Sequence, residues 1–351
     1  MTERSDGQTD RDDEQPASDP ALDAAWAALE TGDISGARRR AKQLEEGSPD
    51  VLLLLAACAR EEDDAKEAIG LLRKAAAADP DWATPELWLA ELLAGEEGTV
   101  EEALQHAGRA LDRADEDDEY LSALALKAGL EAELGKIDEA RETLAELPPA
   151  DVALGDLAAT LEVADLHLAL GDAALARDRL RALTTVEPGS ADAWHALGCA
   201  AAELDDEEEM RAAWKRVWQL DAAPGAERGG QHLTDAEISA VAESALEELP
   251  ARAQELLRNV PIVIAELPAE ADVGTGLDPR ALGLFTGTSH ADPTHLGGQP
   301  GLTQIVLFRR NLERVAAGED ELREEIRVTL LHETGHFFGL DDAELDQLGL
   351  G

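Results

Sequence analysis

The chain has 351 residues and a formal net charge of −46, with 76 acidic side chains against 30 Lys and Arg. A surface this acidic repels nucleic-acid phosphates and anionic lipids, so both are excluded as partners. It can attract basic peptides, and the alternative is a solvating surface adapted to a high-salt cytoplasm. Aromatic residues are only 3% of a sequence dominated by Ala, Leu and Glu, which predicts a mostly helical protein.

Location and redox environment follow from the absence of certain patterns. Residues 1–18 are predicted to form a disordered acidic tail, which lacks the apolar stretch of a signal peptide. The longest apolar run, residues 51–59, is too short to span a bilayer. Cys58 and Cys199 lie far apart in apolar helical stretches, which indicates free, buried thiols in a reducing compartment. We therefore expect a cytoplasmic protein.

Residues 19–224 contain an internal repeat. Each repeat unit is predicted to be a helix, a short turn and a second helix. The turn contains a Gly or Asp, and the residue five positions later lies in the second helix. Successive Gly or Asp positions are 31 to 37 residues apart by subtraction. The residue five positions later is small in five units, as a close crossing of two helices requires. The pairs are Gly32/Ala37, Asp63/Ala68, Gly98/Ala103, Gly135/Ala140, Gly171/Ala176 and Asp205/Met210. The pattern resembles the tetratricopeptide (TPR) repeat, which implies a superhelix of about six units with a groove for a protein partner.

The sequence pattern changes after residues 225–231, a Gly- and Pro-containing stretch that we interpret as a linker. Residues 232–351 are predicted to form a small α+β domain. Thr234 and Glu237 form a predicted capping box at the start of its first helix. The other predicted elements are a helix over 251–259, strands over 260–264, 282–285 and 304–308, and a helix over 320–338. We interpret the run at 303–308 as an edge strand to which an extended substrate can add.

The last predicted helix carries the pattern HExxH, formed by His332, Glu333 and His336. Residues four apart share one face of a helix, so both imidazoles can reach a single zinc ion. Glu333 directly follows the first histidine, where a hydrolytic site needs its general base. The alternative is an ordinary solvated helix face.

A catalytic zinc site also needs a third protein ligand. Gly339 can turn the chain back through a left-handed conformation and bring Asp342 to the ion, in the spacing HExxHxxGxxD. Asp341 is a rival, and either aspartate is alternatively the N-cap of the segment that follows. Both methionines precede the motif, so a Met-turn below the metal is excluded, and we expect the ligand in the tail of the motif or upstream. His290 and His295 lie in the Gly-rich loop upstream, as exposed residues or as further candidates.

Residues 232–351 resemble the minimal zincin-like metallopeptidases of bacteria. The matching stretches are EELPARAQELLRNVPIVI, ALGLFTGT, TQIVLFRRNL and EIRVTLLHETGHFFGLDDAELDQLGL. The resemblance implies that His332, His336 and Asp342 are zinc ligands and that Glu333 is the base. The long loop over 286–301 departs from the family pattern.

Two functions stay open at this point. The first is a zinc-dependent peptidase that cleaves a peptide or protein, with the TPR array recruiting the substrate or a partner. The alternative is a TPR interaction scaffold whose zinc domain is structural or inactive. Glu333 favours the enzyme, because a purely structural zinc site has no use for a base.

Overall fold

The computed structural model describes residues 19–96, 98–152, 154–155, 157–226, 230, 232–287 and 303–341. The chain divides into two compact units: Met1–Pro149 with Leu154–Gly171, and Ala150–Ala153 with Asp172–Gly351. The predicted acidic tail lies outside the described residues. No helix in the described ranges combines the length and the apolar character needed to cross a membrane.

The first unit is built from helical hairpins. The described helices of this unit are α1 (Pro20–Glu30), α2 (Ile34–Ala41), α3 (Pro49–Glu61), α4 (Ala65–Ala78), α5 (Ala83–Ala94), α6 (Val100–Arg113), α7 (Asp117–Glu133), α8 (Ile137–Leu144) and α9 (Leu157–Ala169). Helix α1 packs on α2, α3 on α4, α5 on α6 and α7 on α8, and the loops between the partners are short. Alanine and leucine fill the contacts between the helices.

The residues that define the repeat adopt a left-handed backbone. The angle φ lies between 72° and 82° at Gly32, Gly98, Gly135 and Gly171, and is 56° at Asp63. This conformation is strained for most residues with a Cβ, which explains the choice of glycine and, at Asp63 and at Asp205 (φ 55°), of aspartate. The alanine five positions after each of the four glycines and after Asp63 is fully buried. The predicted helical repeat is thus confirmed.

A buried ion cluster joins α5 to α6. The Glu86 side chain has Oε2 at 2.5 Å from His106 Nδ1 and accepts from Arg109 Nε at 3.0 Å, while its Oε1 accepts from Arg113 at 2.6 Å. Burial by itself would raise the pKa of Glu86. The hydrogen bonds of its carboxylate with His106, Arg113 and Arg109 outweigh this effect and lower the pKa. The carboxylate is therefore held ionised inside the helical array.

The second unit combines the last repeat helices with an α+β domain. The elements are α10 (Ala173–Val186), α11 (Ala191–Glu203), α12 (Glu207–Asp221), α13 (Asp235–Glu247), α14 (Ala251–Leu257), β1 (Ile262–Ala265), α15 (Glu270–Gly274), β2 (Gly283–Thr286), β3 (Gln304–Phe308), α16 (Arg309–Val315) and α17 (Glu319–Phe338). Helix α10 packs on α11, α11 on α12, and α12 on α15. The capping box of Thr234 and Glu237 is present at the start of α13. The predicted fold class, helical repeats followed by a small α+β domain, is confirmed.

The sheet has the strand order β1-β3-β2 among the described residues, with β3 parallel to β1 and antiparallel to β2. The prediction that residues 303–308 form an edge strand was wrong, because β3 is central. Four consecutive residues of β3, 305–308, are buried. A strand covered on both faces shows such a continuous apolar run, whereas a half-exposed strand alternates.

Contacts cross the predicted linker at residues 225–231. Arg314 forms an ion pair with Asp221 at 2.8 Å, and the Trp218 indole N–H donates to the carbonyl of Pro268 at 2.9 Å. Helix α12 therefore packs on the C-terminal domain within one compact unit. The boundary at 225–231 stays a prediction from the sequence pattern.

Candidate functional site

Helix α17 carries the HExxH residues and is anchored in the core of the α+β domain. Leu322, Ile326 and Leu330 are spaced by four residues and fully or almost fully buried in the cluster that contains the β3 side chains. Gly339 ends the helix with φ 86° and ψ 20°, the left-handed conformation expected from the sequence. The apolar stripe fixes the rotation of the helix, and the glycine fixes where the chain turns back.

The two histidines of the motif converge. Their Nε2 atoms lie 3.0 Å apart and their ring centroids 4.7 Å apart. The Nδ1 atom of His336 lies 3.0 Å from the carbonyl oxygen of Leu340, to which an Nδ1–H donates. In that tautomer, Nε2 of His336 carries a lone pair directed at His332. A zinc-ligating imidazole is commonly oriented by such a carbonyl, so this donor set fits zinc.

Glu333 is buried, with 8% of its surface exposed, and is held by strand β2. The backbone N–H of Phe285 donates to its Oε2 at 2.6 Å. Gly283 leaves the space that the carboxylate occupies: a Cβ at this position would stand 2.7 Å from Thr329 Cγ2 and 2.9 Å from Glu333 Cγ. The side chain therefore fits only because residue 283 lacks a side chain.

Strand β2 presents an edge toward this carboxylate. The carbonyl of Leu282 accepts from the N–H of Phe308 at 2.8 Å, which places Leu282 in a hydrogen-bonded pair of the antiparallel ladder. Since such pairs alternate, the backbone groups of Gly283 and Phe285 point away from β3. The bond from Phe285 to Glu333 uses one of these outward groups. Glu333 thus lies along the outer edge of β2.

The third ligand is not decided by the geometry. Asp341 is described and exposed, directly after the turn at Gly339. Asp342, His290 and His295 lie outside the described residues. The structure brings together His332, Glu333 and His336, and the assignment of Asp342 stays a prediction.

A comparison with protein families agrees with the position of this motif. Residues 257–351 match the model of the zincin-like metallopeptidases. The match begins at the last residue of α14, after all of α13, and covers all three strands and α17; we call this region the zincin-like domain. No curated protein matches the chain.

Solved structures with a similar helical array include three proteins of 18% identity. PilF of Pseudomonas aeruginosa covers 58% of this chain and 91% of its own, with a TM-score of 0.46. The pilus biogenesis factor PilW covers 57% and 90%, with a TM-score of 0.45. YrrB, a TPR protein with an unusual peptide-binding site, covers 57% and 93%, with a TM-score of 0.38. These similarities concern the fold alone.

Two residues beside Glu333 were not singled out from the sequence of the zincin-like domain. Gly283 and Phe285 lie in the segment ALGLFTGT, which the sequence predicts as a strand and as part of the family resemblance, without a role for either residue. The available signal was a glycine inside an apolar strand, which often marks a close approach by another group. The donor role of the Phe285 N–H has no sequence signal, because every residue except proline has that group.

Proposed function

We propose that the zincin-like domain is a zinc-dependent peptidase and that the helical repeats recruit its substrate or a partner protein. The observation that carries this proposal is the junction of α17 and β2, where two converging imidazoles stand beside a buried carboxylate that the Phe285 N–H orients. The family match over residues 257–351 supports the same chemistry. A structural zinc site would need no carboxylate of this kind.

Each residue has a separate task in the proposed reaction. His332 and His336 would hold the zinc, with Asp342 as the third ligand. When bound, zinc supplies a Lewis acid and lowers the pKa of water to about 7. Glu333 accepts the proton of the attacking water and delivers it to the leaving amine. The Phe285 N–H keeps the carboxylate in one orientation during this transfer.

The substrate would bind in an extended conformation along the outer edge of β2. The backbone groups of Gly283 and the carbonyl of Phe285 would pair with the peptide, because the Phe285 N–H already donates to Glu333, and a strand added there runs past that carboxylate. This replaces the earlier expectation that residues 303–308 receive the substrate. Main-chain pairing of this kind gives affinity without a strong demand on the substrate sequence.

The repeats would supply selectivity, since helical-repeat arrays commonly bind peptides or proteins along one surface. The net charge of −46 favours basic segments as the recruited chemistry. Removal of the repeat helices of the first unit is expected to weaken cleavage of large substrates and to spare short peptides.

The test is cleavage of a peptide library by the purified full chain, read by mass spectrometry, with the metal content measured in parallel. We expect cleavage that stops on chelation and returns with zinc. His332→Ala and His336→Ala should each hold one equivalent of zinc less than the wild type and lose cleavage. Cleavage that persists in the His332→Ala/His336→Ala double variant would reject this site. A wild type that holds zinc there and cleaves nothing would favour the scaffold.

A further inference from the structure

A second group of metal-binding side chains lies in the second unit, between α11 and the loop that precedes β2. It consists of His195, Cys199 and Asp278, and one ligand atom from each lies within 4.8 Å of the others. His195 and Cys199 are four residues apart on α11 and therefore share one face of the helix. Asp278 comes from the zincin-like domain, 83 residues after His195.

The distances within this group are close to those of a metal site. His195 Nε2 lies 2.9 Å and 3.1 Å from the two carboxylate oxygens of Asp278, whereas Cys199 Sγ lies 3.9 Å from the other ring nitrogen, Nδ1. One ion binds only one of these nitrogens, so the imidazole has to rotate toward the ion. Zinc bonds of about 2.1 Å to nitrogen and 2.3 Å to sulfur place tetrahedral ligands about 3.6 Å apart. The three ligand atoms lie within 4.8 Å of one another, so they have to approach by at most about 1 Å.

The carboxylate of Asp278 is fixed before any ion arrives. The N–H of Arg280 donates to its Oδ1 at 2.7 Å, and the Arg280 guanidinium is held by Asp192 of α11 at 2.6 Å. The carboxylate and the helix that carries the other two ligands are thus tied together independently of the metal. Such second contacts orient a ligand and strengthen its binding.

His195 and Asp278 also interact as a charged pair, with Nε2 and Oδ1 2.9 Å apart. Burial alone would lower the pKa of His195, but the hydrogen bond and charge of Asp278, helped by Cys199, raise that pKa to about 9. Burial alone would raise the pKa of Asp278, yet His195 lowers it overall. This pairing holds the two side chains against each other.

We propose that His195, Cys199 and Asp278 form a second zinc-class site that joins the last repeat to the zincin-like domain. A thiolate, an imidazole and a carboxylate form a donor set suited to zinc and cobalt, whereas calcium and magnesium prefer oxygen ligands alone. The fourth tetrahedral position is left for water. Since its ligands come from two elements far apart in sequence, the ion stabilises the packing of α11 on the loop before β2. The site is independent of the proposed peptidase function.

Cobalt(II) distinguishes this site from the HExxH site, because only a thiolate gives an intense near-ultraviolet sulfur-to-cobalt charge-transfer band. His332, Glu333 and His336 contain no sulfur. The experiment uses the full chain as the His332→Ala/His336→Ala variant, which removes the first site, and titrates it with cobalt(II). The band is recorded for this protein and for the same protein with Cys199→Ser or Cys58→Ser. Circular dichroism verifies the fold of each variant.

We expect one equivalent of cobalt and a charge-transfer band that Cys199→Ser abolishes. Cys58 is fully buried in the first unit, so Cys58→Ser is the matched control and should keep the band. Asp278→Asn preserves the shape and the acceptor for Arg280 and should weaken cobalt binding about tenfold or more. No band in the folded parent variant, or a band that survives Cys199→Ser, would overturn the proposal and leave a hydrogen-bonded Cys–His–Asp relay in its place.

Discussion

The space around Gly283 makes a direct prediction about the orientation of Glu333. A Cβ in Gly283→Ala would stand 2.7 Å from Thr329 Cγ2 and 2.9 Å from Glu333 Cγ, where carbon atoms normally keep about 3.5 Å or more. Both neighbours lie on the buried face of α17, so the overlap has to be relieved by moving Glu333 or the strand. Overpacking of this kind costs about 1–3 kcal/mol of stability. A displacement of the base by about 1 Å costs about 100-fold in kcat/KM.

The assay is kcat/KM on a cleaved peptide, with the zinc content and the melting temperature measured for each variant. Gly274→Ala is the matched control, because a Cβ there meets nothing within 4 Å, and it should keep wild-type activity. Thr329→Ser removes the closest clashing methyl group, so Gly283→Ala/Thr329→Ser should recover part of the loss. A folded, zinc-loaded Gly283→Ala protein with wild-type kcat/KM would refute the inference that this glycine makes room for Glu333.

Three further tests by substitution concern separate parts of the structure. Asp342→Ala should weaken zinc binding at the HExxH site about tenfold more than Asp341→Ala in a chelator competition, and the reverse order would move the ligand to Asp341. Glu86→Gln should lower the free energy of unfolding by about 2 kcal/mol in urea, because it removes the charge that pairs with the buried His106 and with two partly exposed arginines. Since the pKa of Glu86 is lowered, the wild-type advantage should be full above about pH 4.5 and vanish as the pH falls through the lowered pKa, whereas a pH-independent difference would contradict this. Gly198→Ala places a Cβ in steric overlap with Trp214 Nε1 and should cost about 1–3 kcal/mol, seen as a lower melting temperature; an unchanged value would show that α11 and α12 do not pack this closely.

Local features of the sequence predicted local features of the structure well. The left-handed residues at Gly32 and Asp63, the capping box at Thr234 and the end of α17 at Gly339 all follow from the backbone preferences of a few residue types. The convergence of two histidines four apart follows from helix periodicity alone. These features need no knowledge of the rest of the fold.

Features that depend on distant contacts were missed. Strand β3 is central because it pairs with one strand on each side. The signal for this in the sequence was the continuous apolar run over residues 305–308, all of which are buried. Cys199 was predicted to be a free, buried thiol, yet it is only half-buried. His195, four residues before it, was a visible partner, but nothing in the sequence shows that Asp278 folds against α11.

Glu333→Gln tests the proposed peptidase most directly. The variant keeps the size of the side chain and both histidines but cannot accept the proton, so it should retain zinc at the HExxH site and its fold. General-base catalysis contributes about 100- to 10,000-fold, and kcat/KM for a peptide that the wild type cleaves should fall by that factor. A zinc-loaded Glu333→Gln protein that cleaves the same peptide at the wild-type rate would contradict the assignment of Glu333 as the base.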